Sequence, residues 1–169
     1  TVVTILPNPA INSNSQDFIT QQKMLVMIEH TIRDMHASVN QMRSTKTQLN
    51  THAKLLKNNE NTSALIEKGA ALSKRINRWE ENLIQAQQKT FQDVINFNNK
   101  LNAQLIQLKS YVDQAEPKIT EGATKRFNDL MKDWQVYKNE RNAIINTEMD
   151  AYNTLYRALG IPALIIEKK

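Results

Sequence analysis

The sequence predicts an all-α protein: an elongated antiparallel three-helix bundle with a broken central helix, hence four helical segments, behind a short extended N-terminal segment. Three observations carry this expectation. Only three Gly and four Pro occur among 169 residues. A β-sandwich or a doubly wound α/β domain needs turn formers every ten positions or so, and they are missing. Apolar residues instead recur at spacings of three and four along most of the chain, the period of a helical seam. They amount to 40% of the residues, enough for the packed core of one domain and too many for wholesale disorder.

Residues 1–13, TVVTILPNPAINS, stand apart. Val2, Val3, Thr4 and Ile5 are β-branched, and Pro7 and Pro9 then forbid a helix. A single strand has no partner for its backbone groups, so the segment reads as a linker from a missing upstream domain. The first helix is expected over 15–57, capped by Asn14 or Ser15 with Asp17 in its first turn. Leu25, Ile28, Ile32, Met35, Val39, Met42, Leu49 and Leu56 form its seam, with only Thr45 and Lys46 interrupting. Thr62 or Ser63 caps a second helix over 62–90, carrying Leu65, Gly69, Leu72, Ile76, Trp79 and Leu83 on one face.

The pattern then fades. Asn96, Asn98, Asn99 and Asn102 compete for backbone hydrogen bonds and favour caps over helix interior. A break is expected near 92–98, with the seam running Val94, Leu101, Leu105, Leu108, Val112 and Ala115, and Asn98 where an apolar residue belongs. The third helix spans 98–116, closed by Pro117. Thr120 caps the last, over 120–159, with Ala123, Phe127, Leu130, Trp134, Tyr137, Ile144 or Ile145, Met149, Tyr152, Leu155 and Leu159 inward. Gly160-Ile161-Pro162 stops it and 161–169 forms a tail. The first and last helices have about 42 and 39 residues, and the middle pieces together match them. Three equal rods therefore bury more than a compact four-helix bundle with overhanging ends. Ile32, Met35, Leu72, Trp79, Leu108, Trp134 and Tyr137 are the expected core.

The chemistry-bearing residues form no recognisable constellation. The absence of Cys excludes disulfides, thiolate zinc sites and a thiol nucleophile. His30, His36 and His52 are not spaced for one helix turn, and neither Glu-x-x-His nor a glycine-rich phosphate loop occurs. Glu29 with Arg33, and Glu81 with Gln85, read as surface pairs. Arg141 falls near the last seam, where a partly buried ion pair or a snorkelling stem explains it. Trp79 and Trp134 read as packing residues. The Asn-rich break reads as a capped kink, with a polar ligand-binding notch as the alternative. No catalytic, cofactor-binding or metal-ligating residue is assigned, no cofactor is expected, and the chain alone is not expected to be an enzyme.

The net charge is +5, but basic and acidic side chains number six and three over 1–57, seven and seven over 58–116, and nine and seven over 117–169. So thin and even an excess gives no nucleic-acid footprint. No apolar run approaches the roughly 18 residues of a membrane span, so membrane insertion is not expected either. The chain opens on Thr without a basic-then-apolar leader and reads as a piece of something longer.

The string Gln92-Asp93-Val94-Ile95-Asn96-Phe97-Asn98-Asn99-Lys100-Leu101-Asn102-Ala103-Gln104-Leu105 resembles a motif in the C-terminal helical region of bacterial sortilin-like β-propeller proteins. These are vacuolar-sorting-receptor-like proteins with Asp-box (BNR) repeats, often labelled glycosyl hydrolases. Their motif reads Gln-Asp-x-Leu-Asn-Phe/Tyr-Pro, then Lys/Arg-Leu-Asn-Asn, with a Pro-Thr pair opening the last helix. TVVTILPNPAI followed by Gln16-Asp17-Phe18 is similar to the strand, turn and helix start that follow their propellers. Asn98 stands where the family carries Pro, Asn8-Pro9-Ala10 replaces Asp-Pro-Arg, and two residues separate Pro117 from Thr120. The resemblance covers most of the chain and implies an exported, extracytoplasmic protein with its propeller upstream of Thr1. No functional residue transfers, because the Asp boxes lie in the propeller. The expected role is a non-catalytic helical interaction or spacer module, contacting that propeller or a protein partner. The alternatives are an accessory domain completing a glycan-binding cleft and a free-standing basic helical binding module. The strip Ile161-Pro162-Ala163-Leu164-Ile165-Ile166 is the expected docking element.

Overall fold

The computed structural model describes residues 2–3, 6, 8–59 and 61–162. Helix α1 spans Ser15–Leu56, α2 Ser63–Leu83, α3 Leu101–Val112, α4 Glu121–Ala143 and α5 Asp150–Ala158. A 3₁₀ turn, Phe91–Ile95, lies between α2 and α3, and a π-helical segment, Ile144–Met149, joins α4 to α5 without interruption. No strand occurs among the described residues. Val2, Val3 and Leu6 of the expected linker are exposed.

Three rods result. The first is α1, 42 residues and about 63 Å long. The second returns along it as α2 and then α3, and the third is the α4–π–α5 helix. Cross-rod bonds fix the register. Thr31 hydroxyl to Met131 sulfur (3.3 Å), Trp134 indole to Asp34 (3.3 Å), Arg141 to Gln41 and His52 to Tyr152 (3.1 Å) all join residues 100 apart. The outer helices therefore run parallel in one register for most of their length. On the returning rod Arg43 meets Glu80 and His36 meets Asn102. Seven residues on α1 thus correspond to 22 on the partner, so about 15 residues leave the rod between α2 and α3.

Local chemistry explains the ends. Asn14 caps α1 reciprocally: its side chain accepts from the Asp17 amide (3.1 Å), and the Asp17 carboxylate accepts from the Asn14 amide (2.9 Å). Thr62 opens α2 without a side-chain cap. Its buried hydroxyl instead donates to the Leu56 and Asn59 carbonyls (2.8 and 2.9 Å), closing α1 from outside. Asn61 turns the chain there at φ 66°. Thr120 caps α4 by accepting from the Ala123 amide (3.1 Å).

The seam is closely the expected one. Met35, Leu72, Trp79, Leu108 and Trp134 are buried, while Ile32 and Tyr137 are partly buried against the core. Trp79 is fully enclosed and donates its indole N–H to the Tyr137 carbonyl (2.8 Å), so the largest core side chain leaves no unpaired donor. Four expectations are corrected. Helix α3 spans Leu101–Val112, not 98–116, and ends before Pro117 is reached, with Asp113 as its C-cap. Helix α2 ends at Leu83, not near 90, because Gln85 to Gln92 has little apolar surface to bury. Val94 and Ala115 are exposed and not on the seam, because both lie outside helices α2 and α3. Asn98 is exposed too, with its carbonyl accepting from the Gln85 amide at 3.3 Å.

The π segment corrects a phase. Phe127, Leu130, Trp134, Tyr137, Arg141 and Ile144 alternate steps of three and four. Continued unchanged, that repeat would turn Glu148 and Ala151 into the seam. One extra residue in the wide turn brings Met149, Tyr152, Tyr156 and Leu159 inward instead. Gly69 on α2 receives Tyr152: a Cβ there would stand 3.2 Å from its ring.

Three mutational outcomes follow. Leu108→Ala should cost about 2–5 kcal/mol in denaturant unfolding. Deleting exposed Asn146 from the π segment should leave stability within about 1 kcal/mol, since the turn relaxes to α with the seam in phase. Deleting exposed Asn139 in α4 should cost more than about 3 kcal/mol, since it rotates everything downstream.

Candidate functional site

Polar groups collect at the interruptions of the rods. At the break between α2 and α3, Asp93 makes the tightest arrangement. Its carboxylate accepts from the Lys89 and Thr90 amides (2.6 and 2.8 Å), capping the 3₁₀ turn. These backbone donors, Lys89 first, hold its carboxyl below the usual aspartate range. Gln88 donates to the Phe97 carbonyl (3.2 Å) and Gln104 to that of Asn99 (2.9 Å), so side-chain amides replace the missing helical bonds. That is the capped kink. Clefts also flank it. One of about 300 Å³ is lined by His36, Asn40, Arg43 and Asn102, and one of about 200 Å³ by Asn82, Asn99, Asp133 and Tyr137. The break is thus the expected capped kink, with polar clefts beside it.

A line of ion pairs ties the rods. Buried Glu80 accepts from Arg43 (2.6 Å) and Lys46 (3.4 Å), which gives a purpose to the lysine interrupting the α1 seam. Arg75 reaches Glu140 and Glu148, Lys138 reaches Asp34, and Lys109 reaches Glu29 at 2.8 Å. Lys109 holds the Glu29 carboxyl below its usual range, and the pairing raises the lysine in turn. Glu29 therefore works across helices as well as lying near Arg33. Among the described residues Arg141 forms no ion pair and its buried Nε has no hydrogen-bond partner, while its guanidinium donates to Gln41.

The third group lies at the π segment. His52 Nδ1 is 3.1 Å from the buried Tyr152 hydroxyl, and its ring stacks on Tyr156 with centroids 5.2 Å apart. Burial raises the Tyr152 phenol above its ordinary pKa, with the nearby Tyr156 adding to the effect. A cleft of about 120 Å³ opens beside this pair between α1 and α5. Leu49, Leu72, Met149 and Tyr152 form its apolar walls, and Gln48, His52 and Asn153 its polar ones. Sequence reasoning missed this grouping. The signal was the ambiguity between Ile144 and Ile145, which marks the skipped residue.

The three histidines lie apart, and no three metal-binding side chains converge among the described residues. No described helix is long and apolar enough to cross a membrane. Of the expected docking strip, Ile161 packs on the core and the Pro162 carbonyl accepts from the Tyr156 hydroxyl (3.1 Å), while 163–166 lie outside the described residues. No protein-family model matches this sequence, and neither a curated protein nor a solved structure does.

Acid should loosen the break. Because the folded pKa of Asp93 is depressed, its capping contribution is present above the ordinary aspartate range and lost as pH falls through the folded value. Amide exchange at Lys89 and Thr90 should rise there, and Asp93→Asn should show the fast exchange at neutral pH.

Proposed function

We propose that this chain is a non-catalytic spacer and interaction module of a larger exported sortilin-like β-propeller protein. The observation that carries the mechanical half is the constant register of the parallel outer helices, bonded from Thr31–Met131 to His52–Tyr152. Two parallel rods pinned at intervals, with the returning rod packed against both, resist bending and hold whatever is attached to their ends at a fixed distance. The seam supplies the stiffness and the cross-rod ion pairs the register. Supporting the family half is the resemblance of Gln92 to Leu105, which spans the capped break and the start of α3. On this reading the upstream propeller, or a protein partner, is what the module contacts, and its place is extracytoplasmic.

The glycan-cleft alternative called for an exposed aromatic beside paired carboxylates. The cleft with Asp133 offers a half-buried Tyr137 and one carboxylate, and the cleft beside the exposed Tyr111 is lined by a single carboxylate, Glu116; neither has a carboxylate pair in its wall, which favours the spacer.

Small-angle scattering should give a maximum dimension above about 60 Å, against about 45 Å for a compact particle. Reading the coding sequence upstream of Thr1 tests the family half. Asp-box repeats and a secretion signal are expected, and a different upstream domain would overturn it. Glycosidase turnover by these 169 residues alone, abolished by one carboxylate substitution, would overturn the non-catalytic half.

A further inference from the structure

We infer that the cleft beside the π segment is a binding site for a small neutral ring compound of about phenol's size, bearing a hydroxyl or amide group. Four observations lead there. The first is size and shape: the cleft measures about 120 Å³ and is open between the exposed Gln48 and Asn153, so one small ring seats in it with an edge in solvent, whereas enclosing benzene completely takes an apolar cavity of roughly 150 Å³. The second is wall chemistry. Leu49, Leu72, Met149 and Tyr152 offer the flat apolar contact that a ring requires. None of the lining residues is a lysine, arginine, aspartate or glutamate. A charged ligand would lose its hydration there without a counter-ion in the wall.

The third observation is unspent hydrogen-bonding capacity. The Gln48 carboxamide on α1 and that of Asn153 on α5 stand on opposite banks, both on exposed residues. Each offers a donor and an acceptor, so together they suit a hydroxyl or an amide on a ring lying between them. The fourth is preorganisation. His52 is fixed by the Tyr152 hydroxyl on its Nδ1 and by Tyr156 against its ring. Tyr152 in turn sits where Gly69 leaves room for it. The bank therefore needs no rearrangement to receive a ligand. The π turn is what opens this place, since the phase shift sets Met149, Tyr152 and Asn153 facing α1. Wide turns of this kind inside α-helices recur at functional sites.

The inference stands without the spacer reading and is tested on the 169-residue chain by two-dimensional NMR titration with phenol, benzamide and benzoate. Phenol and benzamide should give saturable shifts confined to residues near Gln48–His52 and Met149–Asn153, with Kd on the order of 1 mM. Benzoate should bind at least tenfold more weakly. Gln48→Leu with Asn153→Leu should weaken phenol at least tenfold while leaving the thermal midpoint within a few degrees, because both side chains are exposed. A Tyr152→Phe variant, which frees His52, should weaken it less than the double variant does. No saturable shift up to about 20 mM phenol would overturn the inference. So would equal binding of benzoate, or a double variant that binds as the parent does.

Discussion

One constraint governs this molecule: a single apolar seam must stay in phase along rods of about 63 Å, far longer than a typical helix. A straight α-helix drifts about 20° per heptad against a strict seven-residue repeat. Small drifts are absorbed by supercoiling. Larger mismatches need a residue gained or lost. The α4–π–α5 helix makes that adjustment inside the helix, at Ile144–Met149. The returning rod makes it by leaving the bundle altogether between Leu83 and Leu101. Both irregularities keep apolar side chains inward where the unbroken pattern would fail.

The two adjustments have different chemical consequences. Leaving the rod exposes backbone groups, and the Asn- and Gln-rich composition of 85–104 satisfies them with side-chain amides and the Asp93 cap. An apolar loop there would have no means of doing so. Staying in the helix exposes no backbone to solvent but displaces one turn sideways, and a cleft results. The polar break and the mixed cleft at Tyr152 are thus two outcomes of the same geometric demand. Register is secured separately, by groups with directional bonds. Glu80 between Arg43 and Lys46, and the Trp79 indole on the Tyr137 carbonyl, allow one axial placement of the rods where packing alone would tolerate a slide.

Much of this was legible in the residues. The helices, the rod count, the caps at Asn14 and Thr120 and the burial of five of the seven named core residues follow from period, propensity and Gly/Pro scarcity. The end of α2 and the bounds of α3 did not follow. A gradual loss of apolar residues has no sharp stop, and the helix ends where burial stops repaying ordering. Thr62 shows the same ambiguity from the other side. Its type announces a cap, yet it closes the preceding helix, because only the path of the turn brings the Leu56 carbonyl within reach.

By itself the sequence determined that there would be three long rods with one polar interruption, because helical period and chain length are local and additive. Which residues meet across those rods was decided only in three dimensions. Arg141 on Gln41, Lys109 on Glu29 and His52 on Tyr152 each join positions 80 or more apart. Their pairing depends on axial register and on facing: the first depends on how many residues the break discards, the second on how many the π turn absorbs. Neither number is carried by any single residue type. Both emerge when all the seams are packed at once.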